Sequence, residues 1–588
     1  MIRDPVCGLP LNEMKDEFKI EVRGRTYHFC GEYCKRAFLQ GKKIGYFSME
    51  IGIDNAIHTY SGGLGVLAGD VIKSSADLKI PLVGVTLVSK KGYLKQELRD
   101  GKQTEQTDDW FPSTMMNELP NQVELKIQNR IVKVKAWLYD YQSPSGGLVS
   151  VLFLDTDIEG NSQEDREITS FLYGGDREYR LKQEIILGIG GVKLLEAAGF
   201  KLGKYHMNEG HSSLLTLELL AQNGRDLDAV RDLCIFTTHT PVEAGHDKFS
   251  YDVVQKVLNN PIPYDDIKKL AGNEELNMTR LALNVSKYVN GVAKRHKEFS
   301  LTLFPGYNIS AITNGVHSFT WTCESFRRLY DKYLPGWANE PELLVRVNSI
   351  PDEEIWRAHS DAKEILVRYI RERSGVQFEP NILTLGFARR FTGYKRATLL
   401  FSNLTRLDEI NKVGKIQVVY AGKAHPRDWM GKRLIEEIHK MKEHLNDTIK
   451  IVYLQNYDLD MAAKLTSGVD VWLNTPIPPF EASGTSGMKA AHNGVINFSV
   501  LDGWWVEGCI EGVTGWAIGP SPKEKMEEAD RRRREITQLY DKLEYLIIPT
   551  FYKNRDNWIR LMENSIGKIA YYFNSHRMMR RYATEAYL

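Results

Sequence analysis

The chain has 588 residues, 42% of them hydrophobic and 26% charged, and its 77 Lys and Arg against 76 Asp and Glu leave a formal net charge of +1. That balance argues against nucleic acid or an anionic membrane as the main partner, and the length exceeds what one core covers, so two large domains plus a smaller unit are expected. No window approaches the roughly 18 uninterrupted apolar residues of a membrane span, and the start, MIRDPVCG, lacks the apolar core of a signal peptide. The cytoplasm is the expected compartment.

Residues 1–42 read as a separate unit. Cys30 and Cys34 lie four apart in YHFCGEYCKRAF, where a strand ending at Phe29 runs into a helix near Gly31, and Cys7 in DPVCG sits on an earlier turn. Three thiolates at that spacing suit zinc or copper, with His28 or water as a fourth ligand. The pattern resembles the YHS domain, a small module associated with metal binding. The other reading is a packed module without metal, although a fold this short usually needs a staple.

From residue 43 the character changes. KIGYFSMEIGI is an apolar strand, and SGGLGVLAGDVIKSSADL is a glycine turn entering a helix, a place where backbone N–H groups can meet an anion. LVGVTLVSKKGYLKQEL alternates as strands, and DWFPSTM through LFLDTDIEG reads as a mostly β insertion. LYGGDREYRLKQEIILGIGGVKLLEAAGF has apolar residues at helical spacing. Two strand ends then deliver polar groups: Asn208, Glu209 and His211 in NEGH, and His239 in THTPVEAGHD. Strand C-termini are where open α/β sheets hold their ligands.

A second domain, residues 346–545, begins with a helical connector. ILTLGFARRFTGYKRATLLF is a buried strand, a basic turn and a helix, and Arg389, Arg390, Lys395 and Arg396 crowd eight positions between two apolar elements. Four cations placed there need anions. Further strand–helix alternations lead to EASGTSGMK, where Ala482 to Gly487 pack small and hydroxyl residues ahead of Lys489. A Gly/Ser/Thr turn opening a short helix is an anion cradle, and a lysine packed just inside it can be neutral enough to form a Schiff base. Residues 546–588 form long helical patterns expected to cross back to the first domain.

From residue 44 onward these motifs, in this order, resemble the α-glucan (glycogen and maltodextrin) phosphorylases of the short prokaryotic type. The resemblance implies two Rossmann-like α/β domains facing a cleft, the GT-B glycosyltransferase fold, over residues 43–345 and 346–545. It implies pyridoxal 5′-phosphate on Lys489, with Thr485 and Ser486 facing the cofactor phosphate and Tyr457 beside the ring. Arg389, where the animal and plant enzymes carry lysine, keeps the charge and adds bidentate geometry. Arg390 and Lys395 fall on ligands of the substrate phosphate, while Gly62, Gly63 and Leu64 border phosphate and sugar. Tyr394, Asn208, Glu209, His211, His239, Glu481, Ser483 and Gly484 fall on sugar contacts. Asp458 stands where the family carries arginine.

The implied partners are an α-glucan and inorganic phosphate, and dimerisation is a family expectation only. The implied reaction is retaining phosphorolysis. The cofactor phosphate shares a proton with inorganic phosphate, which protonates the leaving oxygen and attacks the oxocarbenium-like centre to give α-glucose 1-phosphate. A site rich in cations suits that chemistry better than the paired carboxylates of a glycosidase. The competing readings are a nucleotide-sugar glucosyltransferase of the synthase type and a catalytically silent glucan-binding or metal-sensing protein.

Overall fold

The computed structural model describes residues 11, 18–22, 25–29 and 43–588 except 446. Two sheets carry the chain. The first has nine strands: β1 (Lys43–Ser48), β2 (Leu82–Leu87), β3 (Asn117–Ile127), β4 (Arg130–Gln142), β5 (Leu148–Asp155), β6 (Leu202–Asn208), β7 (Cys234–Thr237), β8 (Tyr288–Gly291) and β9 (Ser310–Ala311). In space they run β9-β8-β7-β6-β1-β2-β5-β4-β3. β1 and β2 are apolar almost throughout because helices cover both faces of a parallel sheet. The β insertion read from the sequence is the antiparallel edge of this same sheet, joined through β5, which pairs parallel with β2.

The second sheet has six parallel strands: β10 (Leu383–Ala388), β11 (Ile416–Ala421), β12 (Lys450–Leu454), β13 (Val471–Asn474), β14 (Ile496–Val500) and β15 (Gly515–Ile518), ordered β12-β11-β10-β13-β14-β15. This is a doubly wound order whose direction reverses between β10 and β13. The crevice outside those two strand ends is where such sheets bind ligands. The basic loop follows β10 and the small-residue turn follows β13, so topology alone brings them together.

Helix α1 (Gly63–Asp77) follows the glycine turn after β1, α2 (Arg177–Ile185) runs toward β6, and α3 (Asp352–Ser374) connects the two sheets. Helix α4 (Ser486–Ala491) begins in the small-residue turn. The last helices return to the first sheet, where α5 (Ser575–Tyr582) packs on α1. Met578, Met579 and Tyr582 share a core with Tyr46, Ile51 and Ile235. Asp77 ties this crossing: its Oδ2 accepts from His317 Nε2 at 2.7 Å and His576 Nε2 at 2.8 Å, and its Oδ1 takes the Ser143 hydroxyl.

A hairpin, Lys95–Arg99 with Lys102–Gln106, reaches across to the second domain. Gln96 donates to the Gly422 carbonyl at 2.9 Å, and Gln103 both donates to the Ala424 carbonyl and accepts from its N–H. Near the N-terminus, Lys19–Val22 pairs with Arg25–His28, and the Tyr27 hydroxyl donates to the Ala198 carbonyl at 2.8 Å. Among the described residues no helix is long and apolar enough to cross a membrane.

Candidate active site

One cleft of about 740 Å³ lies between the two sheets. Every residue singled out above for sugar, phosphate or cofactor lines it except Asn208, which stands directly behind. Cys7, Cys30 and Cys34, the expected zinc or copper ligands, lie outside the described residues.

The floor on the second-domain side is built from contiguous sequence. Helix α4 starts at Ser486, and the first N–H groups of a helix have no partner within it. Gly487 cannot be replaced without a clash: a Cβ there would overlap the Asn497 side-chain carbonyl. Trp472 Nε1 holds the Ser486 hydroxyl at 2.9 Å. One turn on, Lys489 is 6% exposed, and its ammonium lies 3.8 Å from the centre of the Trp321 ring. Burial, with Lys73 nearby, brings its pKa down to about 8 despite the opposing pull of Asp70. About one Lys489 in ten is then neutral at pH 7, against roughly one in three thousand for an ordinary lysine.

The adjoining wall is cationic. Arg389 Nη2 and Lys395 Nζ both donate to a single oxygen, Glu481 Oε2, each at 2.6 Å. Burial works against the Glu481 charge, yet these two cations hold its pKa at about 2. Arg389 still has two buried donors, Nε and Nη1, without a partner. Arg390, exposed to the cleft, lines the same wall, where Tyr394, Tyr93 and Glu50 outweigh desolvation and favour its charge. Arg396 does not join this group. It points away from the cleft, pairs with Glu535 and donates to the carbonyls of Thr475 and Pro476. The crowd of four cations is therefore three for the site and one for the fold. Asp458 caps the helix Leu459–Gly468 through the Met461 N–H at 2.8 Å, so the residue in the family's arginine position is a local helix cap here.

The first-domain wall carries satisfied polar groups. Glu209 sits at φ 73°, a left-handed conformation unusual outside glycine, and its Oε2 accepts from the His239 N–H at 2.7 Å and the Thr240 hydroxyl at 2.8 Å. His239 Nε2 meets Asn208 Oδ1 at 2.6 Å, an acceptor that places a proton on that nitrogen. Burial lowers the His239 pKa to about 4, against the opposing pull of Glu209. His211 is also depressed to about 4, by burial and then by Arg180. At the glycine turn, Glu50 Oε2 accepts the Ser61 N–H at 2.6 Å and its Oε1 the Tyr173 hydroxyl at 2.9 Å.

Glu50, Tyr173, Arg180, Asp247 and His425 also line the cleft and were not singled out from the sequence. Two of them had a readable signal: Glu50 is an acid directly after a buried strand, and Asp247 closes the THTPVEAGHD segment. In sum, the cleft holds a depressed lysine beside a helix start, a cation cluster with donors to spare, and a polar wall of neutral histidines. That set can bind two anionic groups and a polyhydroxyl ligand.

Comparison with known proteins agrees with these motifs. Residues 52–181 and 240–515 match a family model described as carbohydrate phosphorylase, and residues 2–43 match that of the YHS domain. The chain is 41% identical over 618 residues to the maltodextrin phosphorylase of Thermococcus litoralis, covering 97% of this chain and 73% of that protein. It is 34% identical over 638 residues to the glycogen phosphorylase of Aquifex aeolicus, covering 98% and 91%. An uncharacterised protein of Methanocaldococcus jannaschii is 32% identical over 556 residues, covering 93% and 100%.

Proposed function

This chain belongs to the carbohydrate phosphorylase family, and from that premise we propose that it cleaves an α-1,4-linked glucan with inorganic phosphate to release α-glucose 1-phosphate. One observation carries the reading beyond the family: Arg389 and Lys395 converge on one oxygen of Glu481 in the same cleft as the depressed Lys489. A nucleotide-sugar transferase has no use for such a lysine.

The family implies pyridoxal 5′-phosphate, and the residues fit it. Lys489 would anchor the aldehyde, the start of α4 and the spare Arg389 donors would hold the phosphate, and Tyr457 would flank the ring. When bound, the cofactor supplies a second phosphate that exchanges a proton with the substrate phosphate. The chain's own part is electrostatic. Two phosphates repel strongly at close range in a buried site, and Arg389, Arg390 and Lys395 offset that repulsion and the charge that develops on bond cleavage. His239, neutral and oriented by Asn208, is suited to hold a glucosyl hydroxyl rather than to move a proton near pH 7. Glu209 holds the His239 N–H and the Thr240 hydroxyl, so the wall is preorganised before a glucan arrives.

The test is glucose 1-phosphate release from maltodextrin or glycogen with and without orthophosphate, alongside an absorbance spectrum for bound pyridoxal. Product that depends on orthophosphate, with the chromophore and the activity lost together in Lys489→Ala, is the expected result. Turnover by the cofactor-free variant would remove the anchoring role, and transfer from a nucleotide sugar without orthophosphate would replace the reading.

A further inference from the structure

Behind the cationic wall, two turns are laced together. The turn after β14, Leu501-Asp502-Gly503, meets the turn Glu481-Ala482-Ser483 through hydrogen bonds running in opposite directions. The Glu481 N–H donates to Asp502 Oδ2 at 2.9 Å, and the Trp504 N–H donates to the Ser483 carbonyl at 2.9 Å. Gly503 is at φ 53°, and a Cβ there would overlap the Ser483 carbonyl, so the two turns cannot separate without undoing the wall. The helix Trp505–Gly508 that follows anchors the far side, where Glu507 accepts from the Lys294 N–H at 2.9 Å and the Thr313 hydroxyl at 3.0 Å of the first domain. Asp502 is 2% exposed, and its second oxygen, Oδ1, is buried without a hydrogen-bond partner.

We propose that Asp502 is a positioning residue for the anion site: its carboxyl fixes the backbone of Glu481, and its charge state sets how readily Arg389 and Lys395 exchange the Glu481 carboxylate for an incoming tetrahedral anion. This rests on the phosphorylase reading for the identity of that anion. A carboxyl this buried, with one oxygen lacking a hydrogen-bond partner and the Glu481 carboxylate close by, favours the protonated acid. Burial raises the Asp502 pKa to about 7; the Glu481 charge adds to the rise, while the N–H groups of Glu481 and Gly503 and the charge of Arg295 oppose it. The charged groups around it are Glu481, then Arg389 and Lys395 beyond it, Arg295 from the helix Lys294–Leu303, and Glu507 one turn on. Ionising Asp502 adds a second negative charge behind Glu481. That opposes a new anion at the same cations, so affinity falls as pH rises through neutrality.

Sulfate is the probe, because it is tetrahedral and does not titrate near pH 7 as orthophosphate does. Its inhibition constant against orthophosphate is measured from pH 6 to 8 in the wild-type holoenzyme, Asp502→Asn and Asp502→Ala. The asparagine keeps an acceptor for the Glu481 N–H and has no charge to gain. The expected result is a rise of about fivefold with pH in the wild type and under twofold in Asp502→Asn. Asp502→Ala, which lacks the acceptor, should lose at least tenfold in kcat/KM at every pH, with Asp502→Asn near wild type at pH 6. Parallel pH profiles for wild type and Asp502→Asn overturn the proposal, as does full activity in Asp502→Ala. Should the wild type show no phosphorolysis, the functional reading fails separately, and the same pH comparison is made on sulfate binding by calorimetry. Should Asp502→Ala not fold, proton uptake on sulfate binding at pH 7, read in buffers of different ionisation enthalpy, is compared between wild type and Asp502→Asn: uptake lowered in the asparagine variant supports the coupling, and equal uptake overturns it.

Discussion

Lys395 Nζ stands 2.6 Å from Glu481 Oε2, the same oxygen that Arg389 holds. The buried Lys395 and the half-buried Arg389 thus share one carboxylate oxygen, and on the proposed function Glu481 competes for them with an incoming phosphate. Glu481→Gln leaves both cations in place with no counter-charge. Breaking a buried pair from one side costs about 3 kcal/mol, so the variant should melt well below the wild type. Orthophosphate then supplies the missing charge. Its addition should raise the melting temperature of Glu481→Gln more than that of the wild type, since a ligand stabilises in proportion to its affinity for the folded state. Equal shifts in a thermal melt would mean that Glu481 and phosphate do not compete.

The Lys489 pKa of about 8 predicts how cofactor-free protein reacts with pyridoxal phosphate. Only the neutral amine attacks an aldehyde, so the rate should rise about tenfold between pH 7 and pH 9 and then level off, whereas an ordinary lysine would climb about a hundredfold. Absorbance-followed reconstitution separates the two curves. The stability sign follows from the same shift. A lysine whose folded pKa is depressed binds fewer protons folded than unfolded, so the cofactor-free protein should gain stability as pH rises from about 8 toward the ordinary lysine value.

Much of this site was readable because its residues are contiguous and sit at strand ends. The glycine turn, NEGH, the basic loop and EASGTSGMK each follow a buried apolar strand, and the strand order brings their ends into one crevice. Long-range pairing was not readable. Arg396 looked like a fourth anion ligand, but its partner Glu535 lies 139 positions away. Tyr173 and Arg180 reach the cleft from a segment whose local pattern is that of any amphipathic helix or loop. Gln96 and Gln103 close the two domains from a hairpin that read as plain alternation, since amide contacts to distant carbonyls leave no periodic trace.

Glycines divide into two kinds by what a methyl group would meet. At Gly487 it collides with Asn497 and Trp504, so Gly487→Ala should cost about 1–3 kcal/mol through overpacking and displace the start of α4 from beneath the cofactor site. At Gly63 nothing lies within 4 Å, so Gly63→Ala should fold with a melting temperature close to the wild type. The open space there is the face toward the cleft, and the methyl should raise the KM for orthophosphate or glucan instead. Thermal melts and steady-state kinetics on the two variants test the division. A fully active Gly487→Ala would contradict it, as would a destabilised Gly63→Ala.

The crossing of α5 onto α1 depends on one carboxylate. Asp77 accepts from His317 and His576 through a single oxygen and from Ser143 through the other, with all three partners from different segments. His576 also faces the Asn339 carbonyl through Nδ1 at 3.1 Å, so both of its nitrogens point at acceptors. Burial opposes the Asp77 charge, but the hydrogen bonds from both histidines hold its pKa below the ordinary carboxylate range. A depressed carboxyl contributes stability above its unfolded pKa and loses it as pH falls through the folded one. Asp77 should therefore keep the crossing intact across the mildly acidic range. Asp77→Asn weakens an acceptor shared by three buried donors and should cost about 1–3 kcal/mol, the range for leaving buried hydrogen-bond partners unsatisfied. The loss should concentrate at the C-terminus, where Tyr582 and Tyr587 bond Asn290 and His206 of the first domain. Limited proteolysis at neutral pH is the check: Asp77→Asn should be cut beyond about residue 570 well before the wild type, with the two sheets surviving as a resistant core. Cleavage at the same rate and sites in both proteins would assign the crossing to apolar packing of Met578, Met579 and Tyr582 alone.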